Sequence, residues 1–582
     1  MRISTWLRPL IVRLSRPRPR RFSRRPTFRP HLEGLEDRIT PSGGGLLDPT
    51  FGAGGTVLNS TGTHSQSLTD VISLPDGKLL AAGYMNSTSS GGSVDFAAAR
   101  YNANGTLDTS FGSGGLATVD FKGSSDRATA VAVQPGTGGK ILLAGTAQDK
   151  SGDVFGVVRL NSNGTLDTTF GAKGSGGKVT VSPVSRVANE VYDMAVLSDG
   201  RFILAGLTKN LGSNANGSIT LARFNANGTL DTKFGNNGLV VSSIAVRDSG
   251  SPDQHAVRVA VDASGRIVVT ATTANSPQDF LVARFNGNGS LDTTFGAAQT
   301  GVVRTDILGG SVDTARSLAL QGDDKIVVGG LASGVNDGLL ALARYNPDGT
   351  LDITFDGDGI VTADAVPGYP SGAEADALVV QPDGKIVTAG QGAYLNSGNL
   401  LLAMRFNADG SVDTSYGPSG TGAVMTSLGF NSRVSGVALQ PDGDLVVAGA
   451  MNTSGPTATD PSPYLEYFAL VRFTASAAAP SPVQIGSFAA SSTTVTAGSP
   501  LTLTAGAVTT TNAGATITKV AFYAVDSSGT EQLLDYGTRN ADGTWTLTWT
   551  PNLSSGRYTL LALAVDSSGA ISDPLAINLD VL

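Results

Sequence analysis

Apolar and polar positions alternate in short bursts along most of this chain, and one stretch shows the plan. LATVDF (116–121) is followed by ATAVAVQ (128–134), KILLAGT (140–146) and FGVVRLN (155–161). Each burst runs near period two, is rich in small and β-branched residues, and is bounded by Gly, Asn, Asp or Pro. No segment sustains a 3.6-residue period. The pattern predicts four short strands per unit joined by tight turns, a meander of the kind found in a propeller blade. The unit then recurs. An Asp in the phrase L/V-D-x-x-F/Y marks each copy, at Asp48, Asp108, Asp167, Asp231, Asp292, Asp352 and Asp413. A period of about sixty residues signals a repeat array whose units bury apolar faces against their neighbours.

The repeated polar residues fit local β-structure chemistry. Asn104-Gly105, Asn163-Gly164, Asn227-Gly228, Asp348-Gly349 and Asp409-Gly410 suit hairpin positions that require positive φ. The Pro-Asp-Gly-Lys stretches at Pro75 and Pro382 read as turns, with Lys78 and Lys385 decorating them. An Arg stands eight residues before six of the seven marker Asp residues: Arg100, Arg159, Arg223, Arg284, Arg344 and Arg405. Asp48 lacks such an Arg, and Arg472 lacks a following Asp. The array thus begins and ends inside one unit, which predicts that FGAGGTVLNS near the start completes the sheet containing YFALVRF near the end. Seven blades result, closed through Asp48 and Arg472, and closure removes exposed sheet edges.

The phrases LDTSFGSGG, VQPDGKI and LARFNANG resemble a bacterial repeat of about sixty residues, the delta-60 repeat, a β-propeller domain of unknown function. The resemblance covers residues 46–474. It implies a fold and brings no activity with it.

Composition narrows the chemistry. The 582 residues include no Cys and only His31, His64 and His255, which removes disulfides, thiolate nucleophiles and multi-histidine zinc sites. Residues 1–38 hold 11 Arg, no Lys and three acids, so the net charge of −8 conceals a leader of +8 and a body of −16. An acidic body argues against nucleic acid as partner. No apolar run is long enough to predict a transmembrane segment. The leader is too Arg- and Pro-rich to fold alone. Its end, HLEGLEDRITPS (31–42), resembles the LEDR-type leader of large bacterial surface and secreted proteins, which implies export.

Candidate sites weigh toward architecture. Asn102, Asn104 and Asp108 loosely match a calcium loop, but the early ligands are neutral and the late bidentate Glu is missing. A ring of seven Arg could hold an anion, yet a residue present once in every unit suits a structural partner better. His64 and His255 stand outside the repeat, and no nucleophile elbow or phosphate loop is present. No catalytic, cofactor-binding or metal residue is assigned, no cofactor is expected, and the chain is expected not to be an enzyme.

TASAAAPSPV (474–483) is small, Pro-punctuated and uncharged, and reads as a linker. Beyond it, seven predicted strands in about 100 residues fit an immunoglobulin-like sandwich, and the segment resembles bacterial immunoglobulin-like surface domains. Trp545, Leu547 and Trp549 alternate with Thr, so they should share a buried face. The expectation is an all-β chain: a basic leader (1–42), a seven-bladed β-propeller (43–474), a linker (475–483) and an immunoglobulin-like β-sandwich (484–582). The expected role is an extracellular or cell-surface scaffold binding a glycan or protein ligand. The alternative is an extracellular propeller enzyme acting on polysaccharide.

Overall fold

In the computed structural model the described residues are 44–582, except 60–65, 87–92, 122–124, 151, 210–215, 249–255, 334–337, 365–372, 396–397, 418–420, 427–429, 453–465, 476–482, 511–513, 526–530, 568–571 and 573–574. The expected leader, most of the expected linker, and His31, His64 and His255 lie outside them. The described residues form strands and turns, with no helix among them.

Residues 56–473 build seven four-stranded antiparallel sheets. Sheet one consists of Gln66–Ser73, Leu79–Asn86, Val94–Tyr101 and Leu116–Val119. Sheets two to six repeat the plan, starting at Arg127–Val133, Ala188–Val196, Val257–Val261, Val312–Leu320 and Ala377–Val380. Sheet seven holds Phe430–Leu439, Leu445–Asn452 and Glu466–Phe473, and takes its fourth strand, Thr56–Asn59, from the other end of the array. The first strands of successive sheets pack side by side, and that of sheet seven returns to that of sheet one.

The sheet is therefore offset by one strand from the sequence unit. LATV (116–119) does not open its own sheet; it pairs backward with Phe96–Ala99 of the preceding strands. Thr56↔Val471 and Val57↔Leu470 repeat that pairing across the two ends, as the leftover Asp48 and Arg472 predict. Apolar clusters fill the gaps between sheets: Leu80, Phe96 and Phe111 from one side meet Val131, Leu143 and Val158 from the other.

A glycine sets the shape of the innermost strand. The second strand of six sheets carries Gly at one position: Gly83, Gly145, Gly206, Gly330, Gly390 and Gly449. A Cβ there would lie 1.8 to 2.0 Å from a carbonyl oxygen of the first strand, or in sheet six of Glu374 just before it, too close to exist. In sheets one, two, three, five and seven the register shifts opposite this Gly, leaving Thr69, Thr129, Tyr192, Arg316 and Ser435 as the extra residue. Sheet four has Ala271 instead, and Val257 pairs with it without a bulge. A bulge re-aims the side chain it carries. Thr69 Oγ1 consequently donates to Ala128 O at 2.9 Å, and Thr129 Oγ1 to Val191 O at 3.1 Å, each in the next sheet.

Residues 483–582 form two further sheets, one of four strands and one of five. A single core joins them, with Leu503 and Trp545 from one and Phe522, Leu560 and Leu579 from the other. Trp545 is buried, whereas Leu547 and Trp549 pack against that core only partly buried. The expected common face is present but incompletely covered.

Candidate functional site

The repeated Arg and Asp form a latch. Arg100 Nε donates to Asp108 Oδ2 at 2.8 Å, and the guanidinium lies 4.8 Å from the Phe111 ring. The same contacts recur to Arg405, Asp413 and Tyr416, at 2.7 and 4.6 Å. The other carboxylate oxygen caps the turn two residues on, as Asp108 Oδ1 does with Ser110 N and Oγ. Arg Nη1 then crosses to a carbonyl of the next sheet: Arg159 to Ala226 O at 2.8 Å, Arg472 to Ala103 O at 2.6 Å. Beside it runs a backbone bond, from Gly52 N to Asn104 O in sheet one and onward to Gly417 N and Gly44 O. One difference marks the seam, where Arg472 reaches Asp48 through Nη2 rather than Nε.

These ions are desolvated but paired, the arrangement in which a buried pair holds, although at the seam the buried Arg472 Nε is left without a hydrogen bond among the described residues. Asp352 and Asp413 are held at about 2: burial alone would raise them, but hydrogen bonds led by Thr354 and Lys385 respectively outweigh it. The turn lysines belong to the same cluster. Lys78 lies 2.8 Å from Asp108 and Lys385 2.8 Å from Asp413, so they are second cations of the latch and not decoration. The asparagines serve the turn: Asn104 Oδ1 accepts from Thr106 N and Oγ1, and Asn102 Nδ2 donates to Thr106 Oγ1. The architectural reading of the phrase holds, and its Arg residues are engaged within the fold.

Unlike residues gather where the seven first strands meet. Asp70 Oδ2 accepts from Val131 N and Asp193 Oδ2 from Val259 N, both at 2.8 Å. Arg258 Nη2 reaches from sheet four to Ser435 O of sheet seven at 3.4 Å. Arg316 Nη1 lies 3.2 Å from Glu374 and 3.0 Å from Asp376. Burial, then the neighbouring Asp376 charge, pushes Glu374 up to about 7; burial likewise raises Asp376, whose buried Oδ2 receives no hydrogen bond. Burial pushes Asp70 up to about 7 as well.

A second group of non-repeated residues lines a polar cavity of about 160 Å³ between sheets two and three. Arg127, Gln148 and Asp153 come from sheet two, Glu190, Tyr192 and Lys209 from sheet three, and Asp248 from just beyond it. Tyr192 is the bulge residue, and its hydroxyl stands 2.6 Å from Glu190 Oε2 and 2.7 Å from Asp248 Oδ1. Lys209 Nζ bridges the same carboxylates at 2.6 and 2.7 Å. Burial lowers the Lys209 ammonium pKa, but its bonds to Asp248 and Glu190 more than compensate and hold it charged. Burial raises the Tyr192 phenol well above its ordinary value, so it keeps its proton.

Sequence reasoning missed both groups because it followed the repeat, and these residues differ from one sheet to the next. The available signal was the Ala-Gly step in the second strand, since its glycine marks where a bulge opposes it. Two acidic trios also escaped notice: Asp95, Asp120 and Asp126, and their counterparts Asp279, Asp306 and Asp313. Their carboxylates tie down loops. Asp126 accepts from Phe121 N and Gln148 N, and Asp306 from Gly309 N and Gly310 N.

Residues 74–111, 139–170, 197–234, 263–295, 321–355 and 381–416 match the β-propeller domain of unknown function DUF5122. This is a propeller-repeat protein. No curated protein matches the propeller chain in sequence. Similar solved structures include an ulvan lyase of a new polysaccharide lyase family, at 11% identity over 71% of this chain and 96% of that one, TM-score 0.39. Sqt1 of Chaetomium thermophilum, solved with the N-terminus of a ribosomal protein, aligns at 11% identity over 72% and 99%, TM-score 0.33. The propeller domain of the Trilobed protease from Pyrococcus furiosus aligns at 8% over 69% and 95%, TM-score 0.32. The expectation that the chain is not an enzyme is withdrawn. Polysaccharide lyases stand among the similar propellers, and one propeller fold serves catalytic and non-catalytic proteins alike, so enzymatic activity stays open. No helix among the described residues is long and apolar enough to cross a membrane.

Proposed function

We propose that the chain is an exported scaffold whose propeller binds a glycan in the cavity between sheets two and three. In this reading residues 43–474 close as seven blades, residues 475–483 link them to an immunoglobulin-like sandwich at 484–582, and the basic leader 1–42 serves export to the cell surface or medium. One observation carries the binding reading: the repeated polar residues are engaged in latches, while non-repeated ones line one cavity. Glu190, Tyr192, Lys209 and Asp248 fix one another there, a preorganised polar wall suited to a hydroxyl-rich ligand. The test is a screen of the full-length chain against oligosaccharides, with turnover assayed in the same wells. Binding that Lys209→Met abolishes supports the reading; binding indifferent to every cavity substitution contradicts it.

A second reading, an enzyme acting on polysaccharide, is favoured by the Glu374–Asp376 pair beside Arg316. A carboxyl that keeps its proton to about pH 7 is in the state a general acid needs. Turnover lost in Glu374→Gln with binding retained would select it.

A further inference from the structure

The cavity holds a cation that no carboxylate among the described residues neutralises. Elsewhere in the propeller, buried arginines are spoken for: seven in latches, Arg316 with Glu374 and Asp376, Arg258 with two carbonyls. Arg127 is different. Its guanidinium lies 5.2 Å from the Tyr84 ring centroid, which holds one face, and its buried Nε, like those of Arg316 and Arg472, receives no acceptor among the described residues; unlike those two, it has no carboxylate at its other nitrogens either. No ion pair joins it to a carboxylate there. A half-buried guanidinium without acceptors gives up hydration for little return, and a bidentate oxyanion is the group its fork matches.

Lys209 adds a second donor on the same cavity wall. Two of its three ammonium hydrogens go to Glu190 and Asp248, leaving the third without a protein acceptor among the described residues. Those two carboxylates share the Lys209 ammonium and the Tyr192 hydroxyl, which offsets their repulsion of an anion. Gln148 and Asp153, paired at 3.2 Å, add a neutral donor and a carboxylate acceptor to the lining. Donors for an oxyanion beside groups that suit hydroxyls describe a sugar bearing an acid. The cavity has room for one such unit and not for a folded partner.

We infer that Arg127, seconded by Lys209, recognises the oxyanion of an acidic glycan, either a uronate carboxylate or a sulfate ester. This rests on the glycan reading and deepens it. The direct test is calorimetric titration of the full-length chain with three probes of equal length: an oligouronate, a sulfated oligosaccharide and a neutral oligosaccharide. One acidic probe should bind at least about tenfold more tightly than the neutral one, the scale of a charge-assisted hydrogen bond. Which acidic probe binds separates carboxylate from sulfate. Arg127→Gln should erase the preference and Arg127→Lys should keep part of it. The melting temperature of both should stay near wild type, because among the described residues the Arg127 side chain supports no other residue by a hydrogen bond or ion pair. Equal affinity for all three probes, or a preference that survives Arg127→Gln, overturns the inference and leaves glycan binding standing. Failure of all three probes to bind overturns both.

Discussion

Arg284→Met probes the latch at its most buried copy. The Arg284 side chain is 3% exposed, donates to Asp292 at 2.8 Å, lies 4.5 Å from the Phe295 ring and reaches Pro347 O in the next sheet. Methionine keeps much of the stem's packing on Phe295 but removes the charge, the stacking cation and the bond between sheets. Among the described residues Asp292 then keeps only Thr294 N and Oγ1, at 3.1 and 2.7 Å. Stranding one ion of a buried pair costs about 3–5 kcal/mol. With an unfolding entropy of about 2.1 cal/mol/K per residue, roughly 430 propeller residues give about 0.9 kcal/mol/K, so the expected fall in Tm is about 3–6 °C. Differential scanning calorimetry reads it. Adding Asp292→Asn, which removes the stranded charge and keeps an acceptor for Thr294, should recover part of the loss. A fall below about 1 °C in the single variant, or a double variant no better than the single, would refute the argument that the pair is mutually dependent.

Acid should destabilise the chain in one window and stabilise it in another. Asp352 and Asp413, depressed to about 2, contribute stability that is whole above their ordinary 3.8 and lost as pH falls toward 2. Asp70 and Glu374, raised to about 7, contribute stability that is whole below their ordinary values and lost as pH rises through 7. Melting temperature should therefore peak in mildly acid buffer and fall on both sides, and Glu374→Gln should flatten the neutral side; a monotonic rise from pH 3 to pH 8 contradicts the raised Asp70 and Glu374, and no fall below pH 4 contradicts the depressed Asp352 and Asp413. At the seam, Asp48→Ala should cost amide protection in Thr56–Asn59 under hydrogen exchange, whereas Arg284→Met should leave that strand protected. Residues 484–582 expressed alone should unfold in one cooperative urea transition, because Leu503, Phe522, Leu560 and Leu579 close a core of their own; a gradual transition would show dependence on the propeller.

The repeat made most of the architecture legible. Arg at eight residues before Asp foretold both the latch and the seam, because a structural contact needed in every sheet is copied with the sheet. The same logic hid the site. Arg127, Tyr192 and Lys209 have no counterparts of the same kind in neighbouring units, so nothing in the spacing singled them out. Their proximity depends on a bulge at Tyr192 and on sheets two and three lying side by side, which bring Arg127 to the same cavity as two residues more than sixty positions further along the chain. Strand membership was legible but its partition was not, since a strand such as Leu116–Val119 pairs backward for reasons of closure and not of local pattern. Lys78 was underread because its partner Asp108 stands 30 residues away.

If repeated residues build and non-repeated residues bind, a paired comparison of Arg284→Met with Arg127→Gln separates the two roles. Melting temperature and affinity for an acidic oligosaccharide would be measured on both variants in one buffer. Arg284→Met should melt about 3–6 °C lower with affinity intact, while Arg127→Gln should melt as wild type and lose about tenfold or more in affinity. The opposite assignment, with Arg284→Met abolishing affinity in the folded protein or Arg127→Gln leaving it untouched, would contradict that separation.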